Sequence, residues 1–315
     1  MISRLADDLA PRPPGLVGRV QRHWHWARTQ GVGRLIEEDG LDPLARAQSA
    51  LLKRRWRQAH GIERGTAVPV FLVGVQRSGT NMVVRGLEAA PEFEVHNEND
   101  RRAFDRFVLR PLPVIRGIVA ASTHRFVLFK PLCDSHRVDK LLDEFKTPGA
   151  GRALWAYRSV DGRVASSLAK FGDMNLRVLR AIALGGAGDR WQAQRMSQDT
   201  LEFMRSFDYD TMSPATAAAL FWWARNRLVF ELGLDRRDDV ALISYDALLA
   251  DPESRMRDVC AFLGFGWNPS LIAHIEPRSP GGRVVEIDAR VRERCTELSR
   301  RLEAARTATG QEQTC

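Results

Sequence analysis

The segment 68–81, VPVFLVGVQRSGTN, joins an apolar run to a turn with two glycines and then to a helix-like stretch. A strand, turn and helix in this order present backbone N–H groups and a helix N-terminus to an anion. Gly74 and Gly79 have the P-loop spacing, but Thr and Asn follow where that pattern requires Lys and Ser or Thr. The strong cation of the loop is Arg77 instead. This pattern predicts a site for one phosphate ester rather than for the β- and γ-phosphates of ATP with Mg²⁺.

A second motif begins with the apolar run 153–157, which predicts a buried strand. Arg158 follows at its end, and Ser166 lies eight residues later on the next helical stretch. A guanidinium can bind two phosphate oxygens while a hydroxyl donates a third hydrogen bond. An isolated arginine is more typical of a solvated surface, so the prediction of a second phosphate site depends on the joint pattern of strand, arginine and serine.

A third motif runs from a strand at 240–244 into Tyr245 and then into a helix. Asp251, with Pro and Glu directly after it, is typical of a helix start, because Asp caps, Pro fits the first turn and Glu favours the positive end of the dipole. Gly264 is a natural helix end.

The three motifs resemble, in the same chain order, those of sulfotransferases that use PAPS (3′-phosphoadenosine 5′-phosphosulfate), especially bacterial and carbohydrate-type members. The resemblance covers roughly residues 68–265. The loop of the family reads about Pro-Lys/Arg-Ser-Gly-Thr-Thr, and this chain departs from it at Gln76 and Asn81. The resemblance implies an α/β fold with a three-layer parallel sheet of P-loop-NTPase-like topology. It also implies PAPS as donor, PAP as product and no metal.

The resemblance also implies which residues contact the cofactor. The loop would bind the 5′-phosphosulfate, Arg158 and Ser166 the 3′-phosphate, and a strand end the adenine, with a late basic loop closing over the site. The implied cofactor-binding residues are Arg77, Ser78, Gly79, Thr80, Asn81, Arg158, Ser166, Ser244, Tyr245 and Arg278.

Sulfuryl transfer is related to phosphoryl transfer, with attacking and leaving oxygens in line. It requires charge neutralisation on the bridging oxygen, which Arg77 would supply, and a base for the acceptor hydroxyl. The resemblance implies a role for Lys130, at the end of the strand 126–130, near the sulfuryl group. In small-molecule members of the family a His closely follows this lysine, and here none does. In many carbohydrate-type and bacterial members the base is a Glu just after the second strand, so the resemblance implies Glu98 as the general base, with His96 as the alternative. A carboxylate that caps a nearby helix is the competing interpretation of Glu98.

Two other classes of function stay open. One is a P-loop kinase-like phosphotransferase, which the missing loop lysine disfavours. The other is a non-catalytic protein that binds PAPS or another nucleotide. The departures at Gln76 and Asn81 favour the latter, while Arg77, Arg158 and Glu98 favour an enzyme.

Alternating apolar strands and helical patterns predict a parallel sheet with helices on both faces. The predicted strands are 69–74, 93–96, 126–130, 153–157 and 240–244. The predicted core helices are 80–90, 102–120, 135–145, 161–171, 175–184, 213–232 and 252–263. A basic helical extension, 1–65, precedes the sulfotransferase-like domain, 66–315. That domain carries a helical insertion at about 173–235 on the acceptor side and a charged, solvated helix at 290–306.

Composition fits one large globular domain. The 315 residues carry a net charge of +8, which is compatible with a polyanionic donor and is weaker evidence for nucleic acid. No apolar run approaches the ~20 residues that span a membrane, and the first 15 residues lack the apolar core of a secretory signal. Four scattered cysteines form no metal or disulfide pattern, so we expect a reduced, cytoplasmic protein. A homodimer and the identity of the hydroxyl acceptor (sugar, lipid or natural product) stay open.

Overall fold

The computed structural model describes residues 43–146, 149–186, 190–279 and 284–312. Most of the predicted N-terminal extension, residues 1–42, lies outside the described residues. The described remainder of that extension forms one helix, α1 (Pro43–His60).

The centre of the molecule is a sheet of five parallel strands, which confirms the predicted α/β class. A separate two-stranded antiparallel hairpin follows the second strand. The strands are β1 (Val68–Gly74), β2 (Phe93–His96), β3 (Phe104–Asp105), β4 (Val108–Leu109), β5 (Phe126–Phe129), β6 (Arg152–Tyr157) and β7 (Val240–Ser244). The order in the sheet is β2-β5-β1-β6-β7, so the chain moves to one side of β1 first and to the other side later.

The strands are apolar because both faces of the sheet are covered. Successive side chains of a strand point to opposite faces, and in β1 Val70 and Leu72 enter one hydrophobic cluster while Phe71 and Val73 enter the other. A parallel sheet with a hydrophobic core on each face is a three-layer arrangement.

Helices connect the strands on both faces. They are α2 (Thr80–Ala89), α3 (Leu112–Ala121), α4 (Val138–Glu144), α5 (Val160–Phe171), α6 (Met174–Ala183), α7 (Gln198–Arg205), α8 (Pro214–Asn226), α9 (Leu228–Glu231), α10 (Tyr245–Ala250), α11 (Pro252–Leu263) and α12 (Ala289–Glu312). Short 3-10 helices lie at Leu132–Arg137, Leu234–Arg236 and Pro269–Leu271.

The helical insertion contains α6 to α9, and the described part of 173–235 contains no strand. Its central helix, α8, is buried along nearly its whole length, including Phe221, Trp222 and Trp223. The single helix predicted at 213–232 is instead divided at Arg227.

The prediction of a fully solvated helix at 290–306 is wrong. Val291, Cys295, Leu298 and Leu302 of α12 are buried, and α12 packs against α8 and β7. These residues recur at intervals of three and four, which places them on one face of the helix. The abundant charges of this helix occupy its other faces and conceal the apolar stripe in the sequence.

The predicted helix 102–120 is also wrong in its first half. Residues 104–109 form the β3–β4 hairpin, and α3 begins only at Leu112. Two residues of the turn, Arg106 and Phe107, have positive φ angles of 47° and 72°, which a right-handed helix excludes. Pro111 disfavours helical geometry in the residue before it, so the helix begins after this proline. Among the described helices, none is long and apolar enough to cross a membrane.

Candidate active site

The predicted site residues follow the carboxyl ends of the parallel strands. The loop 75–79 follows β1, Glu98 follows β2, Lys130 follows β5, Arg158 follows β6 and Tyr245 follows β7. Because parallel strands end at one edge, five separate segments of the sequence converge there. The chain also reverses direction across the sheet at β1, and such a switch point opens a crevice at this edge.

The loop after β1 is shaped to expose backbone N–H groups. Arg77 and Gly79 have positive φ angles of 72° and 87°, and the N–H of Ser78 donates to the carbonyl of Val75 at 3.2 Å. Gly79 precedes α2, and no side chain caps that helix. The first N–H groups of a helix have no partner within it, so the N-terminus of α2 is suited to an anion.

Gly79 is required by a close contact as well as by its backbone conformation. A Cβ added at this position would lie 2.1 Å from Cδ2 of Tyr245. The tyrosine ring therefore packs directly on the loop. This contact joins the end of β7 to the turn after β1.

Arg77 and Ser166 lie together, with Nε of Arg77 donating to the hydroxyl of Ser166 at 3.0 Å. A second guanidinium, that of the buried Arg163, donates to the carbonyls of Gln76 at 3.3 Å and Ala218 at 2.7 Å. Burial and the positive charge of Arg77 lower the pKa of Arg163 to about 9. Two positive charges thus lie close to each other behind the loop.

Arg158 is held by several contacts at the end of β6. Its guanidinium lies over the ring of Tyr245, 4.5 Å from the ring centre, and its carbonyl accepts from Nε1 of Trp222 at 2.9 Å. A Cβ at Gly162 would lie 2.6 Å from Nε of Arg158. This glycine therefore leaves the space that the guanidinium occupies.

In the part of the chain that the structure describes, the hydroxyl of Ser78 in the loop after β1 and Nε of Arg158 at the end of β6 are buried without a hydrogen-bond partner. Among the described residues, no carboxylate pairs with Arg158 or Arg163 within 4.0 Å. Buried polar groups are normally hydrogen-bonded and buried charges are normally paired. The residues therefore fit an anionic ligand with acceptor oxygens, as a nucleotide phosphate has.

Lys130 connects the loop to the predicted base. Its Nζ donates to Oδ1 of Asn81 at 2.6 Å and lies 3.2 Å from Oε2 of Glu98. The lysine side chain is 9% exposed and that of Glu98 is 20% exposed. The Glu98 carboxylate therefore pairs with a lysine instead of capping a helix, and part of it stays open to a ligand.

The pKa of Glu98 lies above the ordinary value for glutamate. Burial is the main cause, and the nearby Asp134 raises the pKa further, while the positive charge of Lys130 lowers it and offsets part of the shift. A carboxylate with a raised pKa is a stronger base than an ordinary one.

His96 is placed differently from Glu98. It is fully buried, its Nδ1 lies 2.8 Å from Oδ2 of Asp100 and its Nε2 lies 3.2 Å from Oε1 of Glu94. The ring stacks on Phe129 with 5.2 Å between centroids. The ring is fully buried, with a carboxylate near each nitrogen, so an acceptor hydroxyl has no access to the imidazole.

Of the remaining predicted residues, two lie at helix starts near the site and one lies at its exposed side. The hydroxyl of Ser244 accepts from the N–H of Ala247 and caps α10. Thr80 is buried in the first turn of α2. Nη2 of the exposed Arg278 donates to the hydroxyl of Tyr245 at 3.0 Å, which brings this late residue to the tyrosine that covers the loop.

Three functional positions were not predicted from the sequence. Arg163 supports the loop, Trp222 fixes the carbonyl of Arg158, and Asp134 lies beside Glu98. The sequence does indicate Arg163, because this residue lies three positions before Ser166 on the same helix and therefore on the same face. Trp222 and Asp134 are brought in by other elements, so local spacing gives no sign of them.

Comparison with known proteins gives similarity at the level of solved structures. No protein-family model matches the chain, and no curated protein matches it. A sulfotransferase from Alicyclobacillus acidocaldarius is 14% identical with a TM-score of 0.42, over 79% of this chain and 97% of that one. The sulfotransferase domain of the curacin biosynthetic pathway is 12% identical with a TM-score of 0.41, over 74% and 98%. The sulfotransferase domain of the Synechococcus PCC 7002 olefin synthase is 15% identical with a TM-score of 0.41, over 78% and 98%. Similarity of this degree does not identify a function.

Proposed function

We propose that the protein is a sulfotransferase that moves the sulfuryl group of PAPS to a hydroxyl of an acceptor. The observation that carries this proposal is the position of Lys130, which contacts both Asn81 of the loop after β1 and the partly exposed carboxylate of Glu98. A phosphate-type site and a base thereby lie on either side of one cation. That arrangement suits transfer between a bound anion and a neighbouring hydroxyl.

The donor would be held by positive charge and backbone N–H groups. The turn residues 78–81 and Arg77 would bind the 5′-phosphate, while Arg158 and Ser166 would bind the 3′-phosphate. The unpartnered hydroxyl of Ser78 and Nε of Arg158 support this assignment. Bound PAPS would supply the sulfuryl group and a good leaving group.

Glu98 would accept the proton of the acceptor hydroxyl. Its raised pKa strengthens it as a base, and its partial exposure leaves one face open to the acceptor. Lys130 would hold the carboxylate in place and supply positive charge where negative charge develops. Tyr245, between Arg158 and Arg278, would support the adenine side of the site. A cytoplasmic location and a homodimer stay predictions from the sequence.

Calorimetric titration of the pure protein with PAP, without added metal, tests the donor site. We expect micromolar binding that Arg158→Ala weakens by roughly tenfold to a hundredfold, because a charged hydrogen-bonding group is removed. Arg152→Ala is the matched control, since Arg152 lies at the opposite end of the same strand and contacts Phe262. An acceptor screen with PAPS then tests turnover.

Three results would contradict the proposal in different ways. Binding of ATP with Mg²⁺ but not of PAP would favour a kinase-like phosphotransferase. Equal loss of PAP binding in the Arg158 and Arg152 variants would contradict the assigned donor site. Tight PAP binding without transfer to any hydroxyl would favour the non-catalytic alternative.

A further inference from the structure

The β3–β4 hairpin ends in a turn that exposes an aromatic side chain. Arg106 and Phe107 both have positive φ, the geometry of a two-residue turn that normally selects Asn-Gly or Asp-Gly. Phe107 is 43% exposed and the next residue, Val108, is 39% exposed. A bulky residue in left-handed backbone is unfavourable. The turn therefore carries a backbone cost and an exposed apolar tip at the same position.

The hairpin is firmly attached at its base. The buried Asp134 accepts from the N–H of Leu109 at 2.8 Å, and the N–H of Arg110 donates to the carbonyl of Ala103 at 2.9 Å. Ala103, Phe104 and Leu109 are buried. The apolar tip is thus presented by a fixed base rather than by a loose loop.

The apolar tip is surrounded by positive charge. Residues 101–110 include four arginines and one aspartate. Arg102 pairs with Asp100 at 2.8 Å. The other three are exposed and have no ion pair among the described residues; they are Arg101, Arg106 and Arg110.

A second exposed segment with the same character lies near Glu94 of β2, the outer strand of the sheet. Leu51 and Leu52 of α1 are 49% and 59% exposed, and the segment LLKRRWR around them is strongly basic. Nη1 of Arg102 lies 3.9 Å from Oε1 of Glu94, and the negative charge of Glu94 also acts on Lys53 of α1. Glu94 is therefore close to both segments. Of the seven large hydrophobic side chains exposed in the described part of the chain, four lie in these two segments.

We propose that the hairpin tip and the exposed face of α1 form a docking surface for an anionic lipid membrane. Apolar side chains on a protruding turn can enter the interface, while surrounding arginines pair with anionic headgroups. Each basic residue near such a surface adds to the attraction. The apolar side chains of the tip are exposed beside arginines that have no ion pair among the described residues, and a lipid surface offers both an apolar interior and anionic headgroups to this combination. This docking does not depend on the reaction proposed for the site.

Sedimentation with vesicles tests the docking. The full-length protein is mixed with vesicles of phosphatidylcholine alone, or of phosphatidylcholine with phosphatidylglycerol, at low and at high salt. We expect binding only to the anionic vesicles, and weaker binding at high salt because the charges are screened. Phe107→Asp should weaken that binding about tenfold or more, since an apolar contact is replaced by a charge.

Leu184→Asp is the matched control, because it makes the same change of charge at a leucine that is 76% exposed on another surface. It should keep the binding of the wild-type protein. Aspartate tolerates left-handed backbone better than phenylalanine, so Phe107→Asp should keep the melting temperature, which is measured for both variants.

Three results would overturn the proposal. No binding of the wild-type protein to anionic vesicles would do so directly. If Phe107→Asp and Leu184→Asp weakened vesicle binding equally, the change in net charge alone would explain the effect. Conversion of a dimer to a monomer by Phe107→Asp in light scattering, without vesicle binding, would assign the surface to a second copy of the chain.

Discussion

Lys130 and Glu98 form an ion pair, 3.2 Å from Nζ to Oε2, between the segments that follow β5 and β2. The register of the sheet brings them together, because β2 pairs with β5 and the N–H of Lys130 donates to the carbonyl of His96 at 3.2 Å. A lysine and a glutamate that are 32 positions apart thus meet at one strand end. The charge of Lys130 lowers the pKa of Glu98 and so offsets part of the rise that burial causes.

Replacement of Glu98 by Gln should reduce the rate of sulfuryl transfer by about 10² to 10⁴-fold, because general base catalysis contributes that much. Binding of PAP should stay within a few-fold of the wild type, since Glu98 is assigned to the acceptor hydroxyl. Steady-state kinetics and calorimetry measure the two quantities. The exposed Glu88 of α2 provides the matched control, Glu88→Gln. A variant with unchanged rate would contradict the role of Glu98.

Replacement of Lys130 by Met should move the acid limb of the pH–rate profile to higher pH. Burial already raises the pKa of Glu98, and the charge of Lys130 offsets part of that rise. Without the lysine, the pKa of Glu98 rises further, so a higher pH is needed to form the basic carboxylate. The profile of kcat/KM measures this shift, and Lys140→Met, at an exposed lysine of α4, should leave it in place. A shift toward lower pH would contradict the pairing.

Gly79→Ala should destabilise the fold by about 2 kcal/mol or more, through left-handed backbone and overpacking. The added Cβ would meet the ring of Tyr245 at 2.1 Å. Gly117→Ala is the control, because a Cβ there meets nothing within 4 Å in α3. It should stabilise the protein by about 0.5–1 kcal/mol. Urea unfolding measures both variants. Recovery of part of the loss in the double variant Gly79→Ala/Tyr245→Ala would show that the ring contact is one of its causes.

The free energy of unfolding should fall between about pH 5 and pH 2, because the two carboxylates beside His96 become protonated over this range. A hydrogen bond from His96 is the largest cause that lowers the pKa of Glu94 to about 2. For Asp100, hydrogen bonds from Arg102 and His96 outweigh burial and lower the pKa to about 2. Both groups bind protons more readily in the unfolded chain. Their contribution is therefore present above the ordinary carboxyl pKa and is lost as the pH falls toward 2.

Glu94→Gln should make the free energy of unfolding depend less steeply on pH below about pH 5. Near neutral pH the variant should be less stable than the wild type by about 2 kcal/mol. Thermal unfolding at a series of pH values measures this, and Glu88→Gln again provides the control. A variant that loses stability equally at every pH would indicate a packing effect instead of the linked ionisation.

Several features of the candidate site were readable in the sequence because they depend on local order. The turn at 75–79, the strand before Arg158 and the helix start at Asp251 each need only a short pattern of residue types. The strand predictions were accurate for β1, β5, β6 and β7 because both faces of the sheet are buried there, which makes these strands nearly continuous apolar runs.

The failures have equally local causes. The hairpin at 104–109 was read as helix because its turn lacks the glycine or asparagine that would signal it. The buried face of α12 was missed because its apolar residues are spaced among many charges. The contact with Asp134 favours a hairpin conformation that local propensity does not, whereas α12 keeps its predicted helical conformation and only its burial against α8 depends on tertiary contacts.

The sequence by itself determined that a glycine-containing turn with an arginine follows a buried strand and that a second arginine ends another strand. It did so because turns and strands follow from glycine positions and apolar runs over a few residues. Only the tertiary structure decided that Glu98, and not His96, keeps a partly exposed position, and that Lys130 connects it to Asn81. Burial and charge pairing arise between segments that the sheet brings together, and these contacts decide which of two neighbouring polar side chains is able to act as a base.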